Sequence, residues 1–213
     1  MKVFTQKGFT IVELMIASAV FSTILLVILT AIVQVGKMYY KGITTAKTQE
    51  SARTVLDRIS QDIQYSGGGD SGKIITKSST NNDVKSLCIG SDRYFYRLNV
   101  QQGASGHVLW FDRLGADGCD PDSVVMSSDA PTADGSEILP EGMRIVKLNV
   151  QSSATNLWSV SVKVAFGADD LLETTDGSQL ADSPELAVCK GSAVGTQFCA
   201  VSELNTTVLK RIP

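Results

Sequence analysis

At 213 residues and a net charge of −3, the chain is long enough for one membrane segment plus one globular domain with its own core, and its charge is a poor match for nucleic acid. Charged residues are sparse, at 19%, while Ser, Thr, Gly and Asn are frequent, a balance that suits an exported, β-rich domain. The single histidine leaves no Ser-His-Asp or Cys-His set to argue for, and no glycine-rich phosphate loop is present, so hydrolytic and nucleotide-driven chemistry both lack their residues.

The chain opens with a short basic leader, Met1 to Gly8, carrying Lys2 and Lys7. Phe9-Thr10-Ile11-Val12-Glu13-Leu14-Met15-Ile16 follows and starts a long apolar run with one acid near its beginning. From Leu14 to Gly36 there is no charged residue, and in a helix that stretch spans roughly 34 Å, enough for a hydrocarbon core of about 30 Å. It is too long for the apolar core of a cleaved secretory signal. The lysines ahead of it predict a cytoplasmic N-terminus and a single pass through the inner membrane, with the rest of the chain outside. A carboxylate at the edge of such a segment is costly and calls for a partner.

These residues resemble the class III signal of type IV pilins and their relatives. The resemblance implies cleavage by a prepilin peptidase between Gly8 and Phe9, N-methylation of Phe9, and a filament role for Glu13. Glu13 of one subunit would pair with the new Phe9 amine of a neighbour, each satisfying the other's charge. Loss of Lys2 and Lys7 takes the side-chain count from −3 to about −5.

Beyond the membrane the helical pattern continues. Met38, Tyr39 and Tyr40 sit at the membrane exit, where the tyrosines read as interfacial anchors, and Gly36 and Gly42 read as places where the helix can bend or melt. Ala52, Val55, Leu56, Ile59 and Ile63 mark one amphipathic face, and Gly67-Gly68-Gly69 stops it. The stretch Ala52 to Gly68 is similar to the end of the long helix in PilW-type minor pilins and J-type pseudopilins, with Gln64 where arginine is common.

Strand patterns follow at Ser86–Ile89, Arg93–Val100, Val108–Phe111, Arg144–Val150 and Leu157–Phe166. In the last of these, Trp158, Val160, Val162, Val164 and Phe166 mark the buried face. A polar turn at 151–156 makes the last two a hairpin. Residues 115–141 and 167–195 read as long loops, and the tail from Cys199 to Arg211 is similar to the closing strand of PilW-type proteins. Four cysteines allow three connectivities; Cys88–Cys119 with Cys189–Cys199 is the expected one, and the absence of C-x2-C pairs argues against zinc.

His107 is expected at a surface or strand edge. Asp117, Asp120 and Asp122 read as a solvated acidic loop in preference to a calcium site, since the stretch lacks EF-hand spacing and its terminal glutamate, and Asn205-Thr206-Thr207 is a chance-level glycosylation tripeptide. No catalytic residue, cofactor or metal is called for.

The reading is an α+β, pilin-like fold in four parts: leader 1–8, transmembrane and assembly helix 9–36, amphipathic continuation 37–66, and a β-rich extracytoplasmic head 67–213. The expected role is a minor type IV pilin that primes or joins an extracellular pilus. Its implied partners are prepilin peptidase, major and minor pilin subunits, the assembly platform with its ATPase, and the cytoplasmic membrane. A J-type pseudopilin of type II secretion keeps the same fold in another machine. A membrane-tethered adhesin or DNA-uptake protein is the rival of a different class.

Overall fold

The computed structural model describes residues 8–67, 73–80, 83–103, 106–113, 119–127, 131–132, 134–154, 156–191 and 195–211. The leader up to Lys7, Gly68, Gly69, Asp117 and Gly118 lie outside the described residues. Helix α1 (Ile11–Tyr65) is assigned without a break through Gly36 and Gly42, so neither glycine melts it. The chain divides into two compact units between Tyr40 and Lys41, and each is taken by itself.

In the first unit no described residue is buried. Its large apolar side chains, from Phe9 through Ile16, Phe21, Leu26 and Val35, all face outward. The few hydroxyls along it return to their own helix: Ser18 donates to the Met15 carbonyl (2.9 Å), Ser22 to Ser18 (2.8 Å), Thr23 to Val20 (2.8 Å) and Thr30 to Val27 (2.9 Å). An apolar surrounding offers no other partner, and this bonding keeps each hydroxyl satisfied.

In the second unit the residues from Lys41 to Tyr65 bury Thr44, Thr48, Ser51, Ala52, Val55, Leu56, Ile59 and Ile63, the predicted face extended about two turns earlier by small polar residues. The Thr48 and Ser51 hydroxyls donate to the carbonyls of Thr44 and Lys47, which lets them sit against the sheet without unmet bonds. Among the described residues ten strands follow: β1 (Ile74–Ser78), β2 (Val84–Ile89), β3 (Asp92–Arg97), β4 (Leu109–Arg113), β5 (Ser136–Glu137), β6 (Met143–Ala154), β7 (Leu157–Phe166), β8 (Leu172–Thr174), β9 (Ala187–Cys189) and β10 (Ala200–Leu209). The first five form one antiparallel sheet in chain order, and β10-β7-β6 form a second. A parallel bridge from Leu98 to Ile145 joins the two sheets. The helix face closes over Leu87, Ile89, Tyr94, Tyr96, Leu109, Val160, Val162 and Val164 in one core. This is the expected α+β arrangement of one long N-terminal helix on antiparallel sheet.

The two long loops need correction. Residues 119–127, 131–132 and 134–135 cover the outer face of the first sheet, where Val84, Phe95, Trp110, Val124 and Met126 form a second core. Gly106 allows that cover: its φ is +98°, and a Cβ there would lie 2.4 Å from the Met126 carbonyl. Residues 168–191 hold the β8–β9 ribbon, not a loose loop, and with 195–199 cover one end of the second sheet. A bulge between Ile145 and Lys147 turns Val146 outward to meet Ala165, Leu172, Ala187 and Cys199 there. The polar run after Val150 is also strand: β6 extends to Ala154, and the turn itself holds Asn156 at φ 62°. Disulfides join Cys88 to Cys119 and Cys189 to Cys199, the first fixing the cover to β2 and the second closing the ribbon onto β10.

Candidate assembly site at the helix N-terminus

Thr10 and Glu13 occupy the N-cap and third positions of α1, the spacing of a capping box. The Thr10 N–H and Oγ1 both donate to Glu13 Oε2 at 3.0 Å, and the Glu13 N–H returns a bond to Thr10 Oγ1 at 3.2 Å. The acid therefore satisfies main-chain and hydroxyl donors that an apolar environment would leave orphaned. Only Oε2 is used; among the described residues Oε1 has no partner. Phe9 lies one residue ahead of the cap and is 89% exposed. Phe9, Glu13, Ile16, Ala17, Val20, Phe21 and Ile24 line one shallow apolar concavity, with small Ala17 between the larger side chains. A carboxylate oxygen free to accept, at the rim of an apolar hollow, can receive one cationic donor and one helix. Sequence reasoning placed Glu13 and Phe9 together but missed Thr10, although the T-x-x-E spacing carried that signal.

The rest of the molecule offers no catalytic constellation among the described residues. His107 is more enclosed than expected, with a side chain 19% exposed. Its Nδ1 lies 3.3 Å from Glu137 Oε2, and its ring packs edge-on to Trp110. Glu137 also accepts the N–H groups of Val108, Leu109 and Leu139, so the pair fixes the start of β4. All cysteines are in disulfides, and the described residues hold no group of three metal-ligating side chains. Asp122 accepts the hydroxyls of Ser79 and Thr80, and Asp120 accepts the Asp122 N–H.

Several buried charges escaped the sequence reading. Arg93 and Asp112, direct cross-strand partners on β3 and β4, form a two-bond pair at 2.7 and 2.9 Å with side chains 9% and 0% exposed. Arg144 is buried beneath the ribbon and donates to Asn99, Asp169 and the Gly167 carbonyl. Asp62 of α1 accepts the Tyr94 hydroxyl from β3, clamping helix to sheet. Burial, with help from the nearby Asp92 charge, pushes the Asp62 carboxyl above its ordinary range, although the Tyr94 bond opposes this. Burial and the Asp62 contact push the Tyr94 hydroxyl up as well. The bond from Lys147 holds Glu203 below the usual carboxylate range.

Against known families, the model of the prokaryotic N-terminal methylation motif matches residues 4–29. No curated protein and no solved structure matches the chain. The chain carries a type IV pilin-like class III leader, and the motif implies processing by prepilin peptidase and assembly with other pilin subunits. With the long apolar helix it points to membrane anchoring.

Proposed function

We propose that this type IV pilin- or pseudopilin-like chain is a minor pilin, a structural subunit that joins or primes an extracellular filament. The observation that carries the proposal is Glu13, set in a capping box within the matched motif, at the start of a helix that buries none of its residues up to Tyr40. Prepilin peptidase would cut after Gly8 and methylate Phe9, and the chain would wait in the cytoplasmic membrane as a single pass with its N-terminus inside. In a helix bundle the free Oε1 would take a neighbour's Phe9 amine while Oε2 keeps the cap, so docking satisfies the incoming charge without opening the helix. The apolar hollow beside Glu13 would receive the neighbour's helix. The platform and its ATPase would supply the work, since the chain has no nucleotide loop.

The helix end from Ala52 to Gly67 and the closing strand β10 support the minor-pilin choice over a major subunit. A J-type pseudopilin shares both features, and its deletion would block secretion and leave pili intact. The test is intact mass of the membrane-extracted protein, unreduced and then reduced and alkylated. A chain beginning at methylated Phe9 with four oxidised cysteines is expected. A chain retaining Met1, from a host with active prepilin peptidase, would replace the filament reading with that of a simple membrane-tethered binding protein.

A further inference from the structure

Among the described residues strand β10 is bonded along one side only, to β7, and its ten residues make it long for an edge. Which of its main-chain groups are open can be read from the ladder. The Lys210 N–H donates to the Asn156 carbonyl at 2.8 Å, one step beyond the pair Leu209↔Leu157. Bonded pairs alternate along an antiparallel ladder, so the main chain of Ser202, Leu204, Thr206 and Val208 faces β7. The N–H and C=O groups of Glu203, Asn205 and Thr207 point to the open side, and among the described residues nothing bonds them. Native edges are usually blunted by proline, a bulge or an edge lysine. From Ala200 to Leu209 there is none of these, and the one charge, Glu203, is paired with Lys147 and Lys163 of its own sheet.

The direction of the strand limits what can pair with it. Lys41 Nζ bonds the Cys199 carbonyl (2.6 Å) at the start of β10, and the Arg211 N–H bonds the Gln64 carbonyl (3.2 Å) beyond its end. Residues 41–65 of α1 therefore run the same way as β10, and the chain ahead of Lys41 leaves from the end where β10 begins. Two copies pairing β10 to β10 antiparallel would place their Lys41 ends, to which the membrane segments are joined, at opposite ends of the contact. A neighbour anchored in the same membrane must offer a strand that runs with its own helix. In this fold β1 is such an edge: it is antiparallel to β2, which is antiparallel to β3, and Leu98 after β3 runs parallel to β6 and so to β10.

We propose that the open edge of β10 is an interaction surface that takes, in parallel pairing, the edge strand of a neighbouring subunit of the same architecture. This rests on the pilin-like, membrane-anchored reading above. The contact is heterologous, so it propagates in one direction and does not close on itself. Its affinity lies in the main chain at Glu203, Asn205 and Thr207, while side chains on the partner set the register.

Residue-resolved hydrogen exchange on the full-length protein, alone in lipid nanodiscs and within filaments sheared from the host, tests the parity directly. The amides of Glu203, Asn205 and Thr207 should exchange fast alone and slow by about tenfold or more on assembly, while Leu204 and Thr206 stay slow in both. In parallel, Asn205→Pro removes one outward donor and leaves the β7 ladder intact, whereas Asn205→Ala removes only a side chain. Filament incorporation should fall about tenfold in the proline variant and hold in the alanine variant. If wild type incorporates, the odd-numbered amides stay fast and both variants incorporate alike, the edge pairing is overturned. If wild type is neither cleaved nor found with any other pilin subunit, the pilin reading fails and the edge proposal falls with it.

Discussion

Replacing Glu13 by glutamine or by alanine separates two jobs that one side chain performs. Glutamine keeps an acceptor at the third helical position, so the cap to Thr10 survives, but the charge is gone. Alanine removes both. Neutralising one partner of a desolvated ion pair leaves the other charge stranded, at about 3 kcal/mol on the low side of the range for such pairs. At about 1.4 kcal/mol per factor of ten, Glu13→Gln should lower incorporation about a hundredfold in competition with wild type. The cap is made within the subunit both before and after docking, so its loss cancels in this ratio and Glu13→Ala should fall by about the same hundredfold. The assay is the ratio of variant to wild-type peptides in sheared filaments from cells expressing both, normalised to the same ratio in the membrane. Both variants should insert and be cleaved. If glutamine incorporates like wild type while alanine does not, assembly depends on the cap, and the charge-pairing argument is refuted.

Two further outcomes follow from the head. Arg93→Met should destabilise the protein by about 3–5 kcal/mol, because Asp112 is left as a buried, unpaired charge, and Arg93→Met with Asp112→Leu should recover most of the loss in denaturant titration. Asp62 sits above its ordinary pKa in the folded state, so the native protein binds the extra proton and this group's contribution declines as pH rises from the unfolded value through the folded one. Asp62→Asn, which keeps an acceptor for Tyr94, should raise the melting temperature at neutral pH and lose that advantage in acid; an advantage that grows in acid would reverse the sign.

The helix and its buried face were legible because they rest on a periodicity that tertiary context did not override: Val55, Leu56, Ile59 and Ile63 stand where the spacing put them. The β6–β7 hairpin was legible for the same reason, through the alternation of Val160, Val162 and Val164. Its true length was not, because Gln151 to Ala154 are exposed on both sides and carry no apolar signal, and cross-strand bonding alone makes them strand. The two covers were misread as loops since short turns and two-residue strands bury apolar residues one at a time, with no period. Arg93, Asp112 and Arg144 look like solvent-facing residues of alternating strands; they are buried only because those covers lie over the sheets' outer faces. At the candidate site the leader and the acid were plain, whereas the division of work between the two oxygens of Glu13 is geometry that no spacing encodes.

The hydroxyls that fold back along the apolar helix also bear on how a subunit changes surroundings. Ser18, Ser22, Thr23 and Thr30 each hold a bond that moves with the helix. A segment leaving lipid for a packed protein core would break none of them and need form none, so the transfer exchanges one apolar contact for another. Directional bonding along the segment is then concentrated at its first turn. In a filament of the kind proposed, such a contact surface would hold its directional bonding at one latch, the turn from Thr10 to Glu13.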